Sequence, residues 1–180
     1  MIIRDTLSLS PESITFGETL IVDPSSDYCP FLEAQILSPL VDASSKEGGV
    51  LFDLRNAWEI RGHDTGVLVF NDLLELTWAK TALWPTDLVA HSVMGWDARV
   101  HIDSFVFRFF VDPSAVLAGR CGRAWFVAGH TRDVPGTPTD YTGETPHSIR
   151  GRIASWESEF VPQAWFRLEA GSAADIVPEW

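Results

Sequence analysis

Apolar positions along this chain recur mostly with the period of a β-strand. Val50-Leu51-Phe52-Asp53-Leu54-Arg55 predicts a strand in which Leu51 faces opposite to Phe52. Val67-Leu68-Val69-Phe70 is an apolar run of strand length, and Asn71-Asp72 after it predicts a bend. Leu74, Leu76 and Trp78 share one face, with Glu75 and Thr77 on the other. Short polar connections, Arg61-Gly62-His63-Asp64-Thr65-Gly66 among them, make these three strands an antiparallel meander. Upstream, residues 33–41 alternate weakly and 42–49 form a polar connector.

Trp84-Pro85-Thr86-Asp87 breaks the pattern, and residues 88–94 fit a strand or a short helix equally. Residues 99–103 alternate strictly, which places Arg99, His101 and Asp103 on one face of a strand. Residues 105–111 are a dense aromatic strand, ended by Asp112-Pro113-Ser114. Gly119-Arg120-Cys121-Gly122 predicts a turn, and 124–128 the strand after it. Residues 130–146 hold three prolines, Gly136 and Gly143, and predict an exposed loop. Thr145 as cap, Pro146 in the first turn and Ile149, Ile153 and Trp156 on one stripe predict a helix over 146–156, limited by Pro162. Ser10-Pro11 can open another helix. A last strand is expected over 164–168, with a frayed tail after Gly171. The expected fold is α+β, mainly β: a twisted antiparallel sheet or partly closed barrel of about seven to nine strands, with one or two packed helices. Residues 1–180 are expected to form a single β-rich domain.

Charge narrows the partners. The chain carries 25 Asp and Glu against 13 Lys and Arg, a net charge of −12. Phosphate backbones need clustered cations, so nucleic acid is not the expected partner. An acidic surface favours solubility and can steer towards a basic protein. No window approaches 18 consecutive apolar residues, so no membrane span is expected. The start, Met1-Ile2-Ile3-Arg4-Asp5, lacks a basic segment followed by a long apolar run, so the expected location is cytoplasmic. Cys29 and Cys121 are then expected as free thiols, although one bridge between them is open to a secreted domain of this size.

Candidate chemistry is sparse. The five histidines, His63, His91, His101, His130 and His147, show no metal-ligand spacing. His101 and Asp103 on one strand face would begin a metal site or simply face solvent. His63-Asp64 in a glycine-flanked turn reads as an acid–base pair or as an Asx turn closed on its own backbone. Ser92, Ser104 and Ser158 lack a nucleophile motif, and neither cysteine has a matched histidine nearby in sequence. No catalytic residue, cofactor or metal is therefore assigned. Eight tryptophans occur: Trp58, Trp78, Trp84, Trp96, Trp125, Trp156, Trp165 and Trp180. They cannot all be central, so some are expected at a groove or interface. Trp96 beside Asp97 would give an aromatic, acidic surface suited to a cationic ligand or a basic partner.

Glu33-Ala34-Gln35-Ile36-Leu37-Ser38, Gly49-Val50-Leu51-Phe52-Asp53-Leu54-Arg55, Thr65-Gly66-Val67-Leu68-Val69-Phe70 and Leu76-Thr77-Trp78 together have a distinct cadence. It resembles small bacterial β-rich proteins in which an acidic-Ala-x-Ile-x-Ser strand leads a meander. The stretch from Ile149 to Trp156-Glu157-Ser158-Glu159-Phe160 resembles their end. Some similar domains are immunity proteins of polymorphic toxin systems. Where the immunity-type pattern often has a His-Asp pair before the Ala, this chain has Glu33. The resemblance covers about half the chain, and its motifs are structural. Together with the absent catalytic motifs and the acidic balance, it points to a non-enzymatic binding protein, for which the resemblance implies the role of an immunity-type inhibitor of a basic toxin. The alternative is a small-molecule-binding protein or enzyme using an aromatic-lined barrel mouth. A third reading is a homo-oligomeric module using an exposed strand edge.

Overall fold

A computed structural model of the chain describes residues 1–10, 18–22, 29–80, 89–101, 103–112 and 114–168. The fold is α+β and mainly β. Among the described residues ten strands form one open sheet: β1 (Glu18–Val22), β2 (Gln35–Asp42), β3 (Glu47–Asp53), β4 (Thr65–Asn71), β5 (Glu75–Lys80), β6 (His91–Val100), β7 (Phe105–Asp112), β8 (Ala115–Cys121), β9 (Arg123–Thr131) and β10 (Phe160–Leu168). Their order is β1-β10-β9-β4-β3-β2-β6-β7-β8-β5. β1 runs parallel to β10, and every other neighbouring pair is antiparallel.

The sheet divides at a narrow seam. β2 meets β6 only where Gln35 lies opposite Ser92 and Ile36 opposite His91. Beyond the seam the halves turn face to face. Phe70 of β4 stacks on Phe107 of β7 at 4.8 Å, and Phe52 of β3 meets Phe109 of β7 edge-on at 5.7 Å. Phe31, from the turn before β2, touches Phe52, Phe109 and Phe126 together. The space between the halves is thus filled with phenylalanine rings in the edge and offset contacts their quadrupoles favour.

A second apolar layer covers the other side of the first half. Leu51, Val67, Val69, Trp125 and Val127 point away from the phenylalanines, under Ile3 and Leu7 of a 3-10 helix (Ile3–Ser8) and under Ala154 and Trp156. β3, β4 and β9 therefore bury both faces, which is why they read as continuous apolar runs. The second half has a single covered face. β7 alternates between buried Phe105, Phe107, Phe109 and Val111 and exposed Arg108, Phe110 and Asp112.

Several local expectations are corrected. β4 and β5 are not neighbours: β3 and β9 occupy both edges of β4, so β5 pairs with β8 at the far edge. Residues 119–121 lie inside β8 and not in a turn. Gly119 is there because a Cβ would sit 2.7 Å from the Phe107 ring. The helix over 146–156 stops early, as α1 (Pro146–Arg150), with Gly151 at its C-cap. Thr145 caps it as expected, by accepting from the Ser148 N–H. Pro162 lies within β10, at a register shift. The helix expected from Ser10-Pro11 and the tail after Gly171 fall outside the described residues. No described helix is long and apolar enough to cross a membrane.

Candidate functional site

The loop that leaves β3 returns to β4 through residues 54–64, and it is anchored along its length. Leu54 N–H donates to the Asp64 carbonyl (2.9 Å), Ala57 N–H to Leu54 (2.8 Å) and Trp58 N–H to Leu32 (3.3 Å). Ala57 and Ile60 are buried beneath it. Gly62 takes φ +85°, a left-handed conformation that favours glycine. What this anchoring leaves outside is Trp58, 59% exposed, with Glu59 and Arg61 beside it.

Below the loop, Asp53 and Arg55 form a buried ion pair, their side chains 4% and 3% exposed. Two residues apart at the end of a strand, they share a side. Arg55 Nε donates to Asp53 Oδ1 (2.9 Å) and Nη2 to Oδ2 (2.6 Å), the two-pronged arrangement a guanidinium makes with a carboxylate. Nη1 donates to the carbonyls of Pro135 (2.9 Å) and Thr137 (2.8 Å), and the second Nη2 proton is shared between Thr139 Oγ1 (2.8 Å) and the Arg152 carbonyl (3.1 Å). Tyr141 donates to Asp53 Oδ2 at 2.5 Å. Burial, and the Asp53 charge beside it, push the Tyr141 hydroxyl well above its ordinary pKa, so it stays a donor. One ion pair thereby fastens the long segment after β9 to the sheet. The exposed loop expected over 130–146 is irregular but tethered, with Thr139 buried and Tyr141 half-buried.

Between these walls opens a cleft of about 450 Å³, lined by residues of the 54–64 loop together with His130 and Gly136. His63 and His130 meet here, ring centroids 6.0 Å apart. Asp64 does not close an Asx turn on itself. It bonds across to β9: Oδ2 to His130 Nδ1 (2.8 Å), and Oδ1 to the Thr131 N–H (2.9 Å), with Thr65 Oγ1 also donating to Oδ1 (2.7 Å). Thr131 Oγ1 donates in turn to Thr65 Oγ1 (2.8 Å), closing a short hydroxyl chain. The Asp64 contact fixes Nδ1–H as the bonded tautomer of His130 and leaves Nε2 on the opposite side of the ring. His63 is held below the ordinary imidazole pKa, by burial first and by the nearby His130 second. A Gln163 hydrogen bond and Asp64 oppose the shift. His63 Nδ1 is buried without a hydrogen-bond partner.

The remaining candidates lie apart. His101 and Asp103 are not on a strand face: they sit in the β6–β7 turn, where His101 N–H donates to the Ser104 carbonyl at 2.7 Å. His91 lies against Trp78 (4.7 Å), and His147 is exposed on α1. Trp96 turns inward onto Phe31 (5.2 Å) while Asp97 points out opposite Arg108, so they form no joint surface. Trp125 is central, and Trp156 donates to Ser38 Oγ (2.9 Å). Trp84 and Trp180 fall outside the described residues. Cys29 and Cys121 are both free thiols. Ser92 donates to Glu33 (3.4 Å), Ser104 is buried, and Ser158 accepts from the Ser155 N–H (2.9 Å). Among the described residues no group of three or more His, Cys, Asp or Glu is placed to hold a metal ion.

Asp53, Arg55 and Tyr141 were not singled out by the sequence reasoning, although Asp-x-Arg at strand spacing was a usable signal. His130 was visible only as one of five histidines, because its partner lies 66 residues away. Comparison with family models, curated proteins and solved structures gives no match to this chain.

Proposed function

We propose that the protein is a non-enzymatic, cytoplasmic binding protein, an immunity-type inhibitor that occludes a basic toxin. The observation that carries this reading is Trp58, 59% exposed on a loop anchored on both sides, with Glu59 exposed next to it. A large aromatic side chain held out by a rigid loop loses little entropy on binding, which is how interface hot spots are built. An indole beside a carboxylate suits lysine and arginine side chains. The net charge of −12 adds long-range attraction for a basic partner, and the resemblance described above points the same way.

The test is co-purification of the tagged chain from its native host, followed by an activity assay of what is recovered. A basic toxin, inhibited by the chain and encoded beside it, supports the reading. Trp58→Ala should then weaken the complex by at least about 30-fold, the equivalent of a hot-spot truncation. Recovery of no basic toxin, with no toxin gene adjacent, overturns it.

A further inference from the structure

The floor of the cleft is less acidic than the chain as a whole. The molecule carries −12 overall, yet among the described residues the ionisable side chains lining this cleft are Arg55, Arg61, His63 and His130 against Asp64. The Arg55 charge is neutralised by Asp53 beneath it. Both oxygens of Asp64 already accept hydrogen bonds from β9 or Thr65, which occupies them while the carboxylate keeps its charge. What is left to meet a ligand is the Arg61 guanidinium and the Nε2 edge of His130. Arg61 bonds the Trp58 carbonyl through Nε (2.7 Å), which orients the guanidinium, and its terminal amino groups have no partner among the described residues. His130, with Nδ1 committed to Asp64, has a side chain 46% exposed. Gly62 and Gly136 leave the mouth open, for a Cβ built on either meets no atom within 4 Å.

We infer that this cleft binds a small molecule through an oxyanion, a phosphate or a carboxylate. The oxyanion sits between the Arg61 amino groups and His130 Nε2, and Trp58 covers the group that carries it. A guanidinium fork matches the spacing of two oxygens on either anion. The imidazole Nε2 donates when the ring is protonated. Asp64 is a positioning residue: it orients the His130 ring and does not touch the anion. The cleft volume of about 450 Å³ suits a small-molecule ligand. This inference does not rest on the inhibitor reading. Trp58 serves both readings, but the anion is held by Arg61 and His130, which the proposed protein contact does not use, so Arg61→Gln tests this inference apart from that one.

The experiment follows imidazole and indole resonances of the full chain by NMR. Inorganic phosphate and, separately, acetate are titrated at constant ionic strength and constant pH, in parallel series at about pH 6 and about pH 7. His130 and Trp58 signals should move along a saturating curve in at least one titration, while His147, exposed on α1, stays still. Saturation by phosphate alone identifies a phosphoryl ligand, and by acetate alone a carboxylate. Arg61→Gln should weaken the saturating response about ten-fold, and Arg61→Lys, which keeps the charge without the fork, by less. A His130 response that stays linear and parallels His147, or one that survives Arg61→Gln unchanged, overturns the inference.

Discussion

Tyr141 donates to the same carboxylate oxygen of Asp53 that Arg55 grips, so the tether of the 132–145 segment depends on one buried charge pair. Tyr141→Phe removes a hydrogen bond to a charged acceptor and should cost about 1.5–3 kcal/mol. Arg55→Ala leaves Asp53 buried without its counter-charge and should cost about 3–5 kcal/mol. Chemical denaturation measures both. Limited proteolysis should find new cleavage within 132–145 in Arg55→Ala before any elsewhere. Resistance of Arg55→Ala equal to that of the parent chain would mean the tether lies elsewhere.

His63 links stability to pH. Its folded pKa lies below the 6.5 of a free imidazole, so in that window the unfolded chain binds the proton and the folded one does not. Its contribution is intact above about pH 6.5 and diminishes as pH falls through the window. Unfolding free energies measured between about pH 7 and 5 should therefore fall less steeply in His63→Gln than in the parent chain. Parallel slopes would remove His63 as the cause.

Burial governs the two thiols. It pushes Cys29 up to about 11 and Cys121 up to about 12. At about pH 8 the folded chain should react slowly with a thiol reagent, and both thiols should react promptly in denaturant. Fast labelling of either in the folded state would contradict its described environment.

Two glycines give a contrast. Gly119→Ala drives a methyl group to within 2.7 Å of the Phe107 ring and 2.9 Å of the Glu75 carbonyl, and should cost about 1–3 kcal/mol by overpacking. Gly136→Ala meets no atom within 4 Å and should be neutral or stabilise by up to about 1 kcal/mol, since it restricts the unfolded chain. Denaturation midpoints of the pair decide whether Gly119 serves packing.

That contrast also explains what the sequence made legible. Strands buried on both faces announce themselves, as Val67–Phe70 and residues 124–128 did, because each position is apolar whichever way it points. β8 was hidden because Gly119 and Gly122 suggest a turn, and only the Phe107 ring on the adjacent strand reveals why Gly119 is small. The placement of β5 was equally hidden, since its partner β8 lies about forty residues downstream. At the candidate site His63 and Asp64 were legible as neighbours. The Asp64–His130 bond was not, because it depends on β4 and β9 lying side by side, a pairing no local pattern encodes.

Asn71, the last residue of β4, lies opposite Arg123, the first of β9. The whole second half of the sheet, residues 72–122, is thus an excursion whose two ends touch. Joining β4 to β9 across an unstructured segment of that length carries a large loop-closure entropy. If the β6–β7 and β7–β8 hairpins form first, the segment is already compact and the closure is cheaper. The least costly assembly order therefore runs from the middle of the chain outwards. The Asp64–His130 contact forms only once β4 and β9 have joined, after the second half is compact.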